Sequence, residues 1–287
     1  MGASAMNFHQ KTNTFVKSLE LKILNMERSL AFYKNIIGFK VMKRDGNRAI
    51  LTADGKTPLV TLIQPDHVVP KEAHKAGLYH FALLLPSRAD LGSFLNHIAK
   101  INYPLGASDH AVSEALYLQD VDGNGIEIYV DRPASAWVWK DKEVQMVTDP
   151  LKAEEVLAAG ADKQWNGLPP ETVMGHIHLH VGDLEKAEEF YCKGLGFEVV
   201  TRYGGQALFI SKDNYHHHIG LNIWNGKNIS AASQDSVGLE HFTVHYPNEE
   251  SRTEAIKRIE EMKIEVREVD GSWVVTDPFG LTVQLAI

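Results

Sequence analysis

The segment MGHIHLHVGD places His176, His178 and His180 two residues apart. Its alternation of apolar and polar residues predicts a strand, and residues i, i+2 and i+4 of a strand share one sheet face. Three imidazoles are therefore expected to point the same way. A second segment, YHHHIGLNIW, carries His216, His217 and His218, and a third, EHFTVHYP, carries His241 and His245. Eight of the fourteen histidines lie between His176 and His245. Imidazole is the commonest ligand of first-row divalent metals, so histidines converging from neighbouring strands suit an open Fe(II), Mn(II) or Zn(II) site. Any one of these histidines alone reads as a strand residue satisfied by backbone. The cluster across three strands reads as a metal site.

The elements that must position these residues occur twice. ERSLAFYKNIIGF at 27–39 returns as EKAEEFYCKGLGF at 185–197, and GLYHFALLLP at 77–86 returns as GLEHFTVHYP at 238–247. DVDGNGIEI at 120–128 returns as DPFGLTVQL at 277–285, so the offset stays near 157–161 residues. Three blocks in one order at one offset indicate tandem duplication. The copies differ where chemistry is at stake. Ser18 stands at the counterpart of His176, and Glu127 at the counterpart of Gln284.

Within a copy, FVKSLELKIL alternates like a half-buried strand. Asn25 can cap a helix with Leu30, Phe32 and Tyr33 on its inner face, which Gly38 would end. Apolar alternation resumes through FKVMKR, RAILTA and PLVTLIQ, which gives strand, helix, three strands. From Leu78 the order repeats, with DGNG at 122–125 as a turn before the last strand. Four such βαβββ units fit the chain, an α+β plan with curved sheet and not a doubly wound parallel one. Two tandem domains are expected at 14–133 and 172–287. Residues 134–171 form an ordered connector, since Trp137, Trp139 and Trp165 are unusual in a floppy linker. Its short helix has Asp149 as expected cap, Pro150 in the first turn and Gly160 as stop. Phe32-Tyr33 and Phe190-Tyr191, at helical spacing, read as core anchors.

Composition narrows the partners. With 287 residues and 44% hydrophobic content, two domains can each bury a core. A formal net charge of −8, from 37 acidic and 29 basic residues, disfavours nucleic acid and anionic membrane as partners. The single cysteine, Cys192, rules out an internal disulfide framework and suits a reducing compartment. No apolar run is long enough to span a bilayer, and MGASAM lacks a signal-peptide pattern. A soluble cytoplasmic protein is expected, with homo-oligomerisation left open.

The words His-Ile-x-Leu-x-Val-x-Asp-Leu-Glu-Lys-Ala-x-x-Phe-Tyr, Leu-Gly-Phe and Asp-x-Asp-Gly-Asn-x-Ile-Glu, set in four units, resemble the vicinal oxygen chelate (glyoxalase-like) superfamily. With YHHHIGL in the second half, the layout is most similar to two-domain extradiol ring-cleavage dioxygenases, the catechol 2,3-dioxygenase-like proteins of bacilli. The resemblance covers about residues 14–133 and 172–287 and implies curved mixed sheets forming open cups. It implies a metal, Fe(II) first with Mn(II) or Zn(II) as alternatives, held in the C-terminal domain by two His and one Glu. The first His matches His176, seven residues before Asp183, and the second matches His241. The Glu position, seven residues after the Asp of the turn, is Gln284. An amide oxygen is a neutral and weaker ligand than a carboxylate. A further family His, which handles a substrate proton, matches His217, with His216 and His218 as alternative frames. A family Tyr falls on Val274. In the first domain His80 and Glu127 occupy two ligand positions but Ser18 the first, so no metal is expected there.

The implied reaction is extradiol opening of catechol or a small substituted catechol with O2, with His217 as general base and acid. Two other classes share the scaffold. One is a glyoxalase-like isomerase or thiol transferase using Zn, Mn or Ni. The other is a metal-free protein that sequesters an aromatic ligand, which Gln284 and Val274 favour and the imidazole cluster opposes.

Overall fold

All four units form in the computed structural model, which describes residues 7–287; the MGASAM segment, expected to carry no signal sequence, lies outside the described residues. Unit one comprises β1 (Phe15–Lys22), α1 (Met26–Phe32), β2 (Lys40–Asp45), β3 (Arg48–Thr52) and β4 (Val60–Ile63). Unit two comprises β5 (Gly77–Leu84), α2 (Arg88–Ile101), β6 (Gly106–Asp109), β7 (Ser113–Gln119) and β8 (Gly125–Asp131). A connector follows with β9 (Trp139–Lys140), β10 (Glu143–Val144) and α3 (Ala153–Ala159). Unit three holds β11 (Val173–His180), α4 (Leu184–Glu188), β12 (Glu198–Tyr203), β13 (Ala207–Ser211) and β14 (Ile219–Asn222). Unit four holds β15 (Gly238–His245), α5 (Glu249–Glu261), β16 (Val266–Val269), β17 (Ser272–Thr276) and β18 (Thr282–Ala286).

Local chemistry accounts for the element ends. Asn25 accepts a bond from the Arg28 amide at 2.9 Å, and after a π-type turn over Tyr33–Ile37 the chain leaves the helix at Gly38, with φ 91°. The connector helix starts differently from expectation. Its first residue follows Lys152, which makes no side-chain cap, while Asp149 exchanges two backbone bonds with Asp109 beside β6. The pairing partner on the sheet edge takes Asp149 out of capping range. Gly160 does end the helix, and there the chain runs against Gly92 of α2. A Cβ on Gly160 would lie 2.2 Å from backbone atoms of Gly92 and Ser93, so only glycine permits this crossing.

The strands form two eight-stranded mixed sheets, and each sheet draws on both copies of the repeat. One runs β16-β17-β18-β15-β1-β4-β3-β2, joining units one and four. The other runs β12-β13-β14-β11-β5-β8-β7-β6, joining units two and three. The first and last strands of each unit pair in parallel, and the remaining pairs are antiparallel. Each cup is therefore built from both copies, not from one. A single unit leaves its first strand as an open edge, and that edge is satisfied across copies, by β5 on β11 and β1 on β15. Within a copy the tie is made elsewhere. Tyr33 donates to Asp120 at 2.7 Å and Tyr191 to Asp277 at 2.9 Å, each buried bond linking the two units of one copy.

Strand alternation then divides the faces. Phe81, Leu83, Ile126, Ile128, Ile177 and Leu179 enter a core shared with Leu19, Leu21, Val244 and Val283 of the other sheet. Their neighbours, including His80, Ala82, Glu127, His176 and His178, face the opposite side, into a cup. Among the described residues, no helix is long and apolar enough to cross a membrane.

Candidate metal centre

Register brings the cup residues together. On adjacent strands β11, β5, β8 and β7, His176 pairs with Ala82, Ala82 with Glu127, and Glu127 with Tyr117. A β-bulge between Met174 and His176 adjusts the register of β11 just before the histidine. Because Ala82 offers only a methyl group, the side chains of His176 and Glu127 can meet across it. His80, two residues back on the same face, leans toward them. One ligand atom each from His80, Glu127 and His176 lies within 4.8 Å of the others, and all three residues are buried. Glu127 Oε2 is 3.1 Å from His176 Nε2 and 3.0 Å from His80 Nε2. The His80 nitrogen, though buried and so close, lacks the alignment for a hydrogen bond.

Electrostatics favour a cation here. Burial lowers the pKa of His176, although Glu127 opposes the shift, so this ring reaches neutral pH as an uncharged donor. Burial alone would raise the Glu127 carboxyl, but His176 and His80 override it and hold Glu127 well below the usual carboxylate range. Two imidazoles and one carboxylate, with lone pairs converging in a buried space, suit a first-row divalent ion with positions left open. Tyr117 closes the row. Its phenol exchanges a 2.6 Å bond with His110, and burial, with Glu127 beside it, keeps it well above its ordinary pKa.

The other sheet repeats this row position by position. Ser18 pairs with Thr243, Thr243 with Gln284, and Gln284 with Val274. His241 and Gln284, expected as ligands beside His176, therefore belong to the sheet that lacks His176. Gln284 accepts a bond from Thr243 at 2.9 Å. His241 lies 4.0 Å from Glu20, whose carboxylate is already paired with Arg48 at 2.5 Å. Sequence repetition identifies equivalent positions, but strand pairing across copies decides which positions meet. The signal was present in complementary losses. Copy one lacks the first His and copy two lacks the Glu, so a full set needs His176 and Glu127 together, and pairing of β11 with β5 adds His80 to them. Tyr117 likewise occupies the position that Val274 holds in the other cup.

The three expected imidazoles of β11 separate in role. His176 and His178 line the cup, with the His178 ring seated over Gly220, where a Cβ would come within 2.7 Å of it. His180 instead bonds Asn222 at 2.8 Å. In the HHH run, His217 lines the cup with its ring 4.1 Å from that of His176. His216 turns to Asp131 at 2.8 Å, and His218 to Ser211 at 3.1 Å. Burial, followed by the neighbouring imidazoles, pushes His178 and His217 well below the ordinary histidine pKa. His9, which drew no attention in the sequence, is buried behind the site and bonds Gly175 at 2.8 Å. Burial lowers its pKa to about 4.

The cup encloses a cavity of about 650 Å³. Tyr79, Tyr203 and Trp224 stand half-exposed on its wall, and Met146 to Pro150 of the connector form part of the lining. The connector is thus part of the site. Trp137 anchors it, buried against Phe8 at 5.5 Å and His216 at 5.1 Å between ring centroids.

Comparison with known proteins agrees with this architecture. A family model described as the Glyoxalase/Bleomycin resistance protein/Dioxygenase superfamily matches residues 19–128 and 173–285. A catechol-2,3-dioxygenase of Bacillus subtilis (strain 168) is 45% identical over 270 residues, covering 93% of this chain and 94% of that protein. A 2,2',3-trihydroxybiphenyl dioxygenase of Sphingomonas paucimobilis is 24% identical over 230 residues, covering 77% of this chain and 65% of that protein. A crystal structure of glyoxalase I from Zea mays, 15% identical, shares the fold with a TM-score of 0.56 over 95% of this chain and 92% of that one.

Proposed function

This chain belongs to the Glyoxalase/Bleomycin resistance protein/Dioxygenase superfamily, and from that premise we propose that it is an extradiol dioxygenase acting on catechol or a small substituted catechol. The observation that carries the reading is the convergence of His80, Glu127 and His176 on one open point of an aromatic-walled cavity. These three residues would hold Fe(II). Iron bound there would supply Lewis-acidic and redox-active chemistry toward a deprotonated catechol and O2. The ring opens beside the diol, and both atoms of O2 enter a muconic semialdehyde.

The chain's own residues supply the rest. His217 takes a proton from one catechol hydroxyl through its cavity-facing nitrogen, which a neutral imidazole can do near pH 7. Tyr79, Trp224 and Phe209 offer flat surfaces for an aromatic ring and limit the water reaching it. The phenol of Tyr117, kept protonated beside Glu127, donates to His110, whose other ring nitrogen donates to the Val147 carbonyl. A cytoplasmic location fits the single cysteine, Cys192, half-buried and with its thiol pushed up to about 12 by burial.

The test is protein purified without oxygen and analysed for metal, then mixed with catechol under air. Iron near one per chain, one O2 consumed per catechol and a yellow semialdehyde are the expected results. Iron-loaded protein that consumes no oxygen with any catechol would overturn the reading.

A further inference from the structure

Behind His217 a line of polar groups leaves the cavity, buried at His216 and part-buried at Asp131. Alternation along β8 puts Glu127, Tyr129 and Asp131 on the cup face, so the strand that carries one ligand candidate also carries Asp131 at its end. Asp131 Oδ1 is 2.8 Å from His216 Nε2, and His216 Nδ1 is 2.8 Å from His217 Nδ1. His216 is fully buried, closed off by the rings of Trp137 and Tyr215 at 5.1 and 4.1 Å. Asp131 is steadied by Tyr215, whose hydroxyl reaches it at 3.3 Å and bonds Tyr129 at 2.7 Å.

With His216 neutral, the protons on this line are not free to choose. A carboxylate offers only lone pairs, so His216 must donate from Nε2. A neutral imidazole has one N–H, which leaves His216 Nδ1 as an acceptor. Two acceptors would not face each other at 2.8 Å, so the N–H in that contact belongs to His217 Nδ1. The other nitrogen of His217, Nε2, is then left with its lone pair for the cavity that the residue lines. We infer that Asp131 and His216 are positioning residues that fix His217 in its Nδ1–H tautomer and so present a bare Nε2 to the substrate. The inference rests on the reading of His217 as proton acceptor for its purpose, but not for its geometry.

A purely structural role for the line would satisfy the same buried atoms without setting the tautomer, and nitrogen chemical shifts tell the two apart. In metal-free protein labelled with 15N-histidine, His217 is expected as the Nδ1–H form. In Asp131→Ala the Nε2–H form should grow at its expense. Asp131→Asn keeps a carbonyl acceptor and should restore the wild-type pattern. In loaded enzyme, Asp131→Ala should lower kcat roughly tenfold to a hundredfold at near-constant KM and metal content, with Asp131→Asn closer to wild type. A wild-type His217 found as Nε2–H overturns the inference even if no variant folds, and so does a tautomer unmoved in Asp131→Ala. His217→Ala with full activity would instead sink only the role proposed for His217 itself, because the tautomer measurement needs no turnover.

Discussion

His176 and Glu127 flank Ala82 in a single row across three paired strands and approach to 3.1 Å, although they come from opposite copies of the repeat. The candidate centre is thus a product of pairing between copies. Neither copy contains it, and the second cup built from the same positions holds Ser18, Thr243 and Gln284 instead.

Metal retention should follow the pairing and not the copy. His80→Ala and Glu127→Ala are expected to lower bound iron at least tenfold, because each removes one of three ligands. His241→Ala and Gln284→Glu, in the other sheet, should leave it unchanged. Metal content of protein purified without oxygen is the readout. Loss of iron in His241→Ala with retention in His80→Ala would return the site to the second copy.

The small side chain of Ala82 is a second handle. Ala82 is fully buried, so Ala82→Val puts two methyl groups between His176 and Glu127. Overpacking of this kind costs about 1–3 kcal/mol, read from denaturant midpoints. Iron retention should fall by more than the stability loss explains. Thr243→Val, at the matching position of the other sheet, loses the bond to Gln284 for about 1 kcal/mol and should keep its iron. Equal iron content in both variants would show that the small size of Ala82 plays no part.

Tyr117 separates packing from chemistry. It lines the cavity next to Glu127, where the other cup has Val274. Tyr117→Phe keeps the ring and removes the phenol. Iron should stay bound while kcat drops about tenfold or more, within the range for a positioned proton donor. A kcat within twofold of wild type would make Tyr117 a packing residue only.

Much of this was legible in the residues. Alternation in MGHIHLHVGD and GIEIYV set the strands and their faces, and Asn25 and Gly38 marked a helix that formed as expected. The family resemblance pointed to His217 first, with His216 and His218 as alternative frames, and His217 is the one of the three that lines the cavity. The partners of His176 were not legible. Repeated sequence gives equal edges to β5 and β15, and nothing local to β11 states which of them it will join. That choice is made by contacts far apart in the chain, and it moved the expected companions from His241 and Gln284 to His80 and Glu127. Asp149 failed as a cap for a similar reason, since its backbone was taken by Asp109 across the sheet edge.

The buried tie between Tyr191 and Asp277 gives a prediction in pH. Burial raises the Asp277 carboxyl to about 6, despite bonds from the Leu281 and Phe279 amides and the Tyr191 hydroxyl that favour its charge. An unfolded aspartate titrates near 3.9. The folded chain therefore holds this proton more tightly than the unfolded chain. Its stabilising effect is complete below the unfolded value and is lost as pH rises through about 6. Asp277→Asn cannot titrate, so the stability difference between wild type and variant isolates this carboxyl from every other group. Between pH 4.5 and 7.5 that difference should move by about 2 kcal/mol against the wild type, measured by urea denaturation at both pH values. A constant difference would mean that Asp277 titrates normally and that its burial is relieved by water. A shift of opposite sign would mean that the amide and Tyr191 donors outweigh burial, and the carboxylate would then strengthen the tie between units three and four.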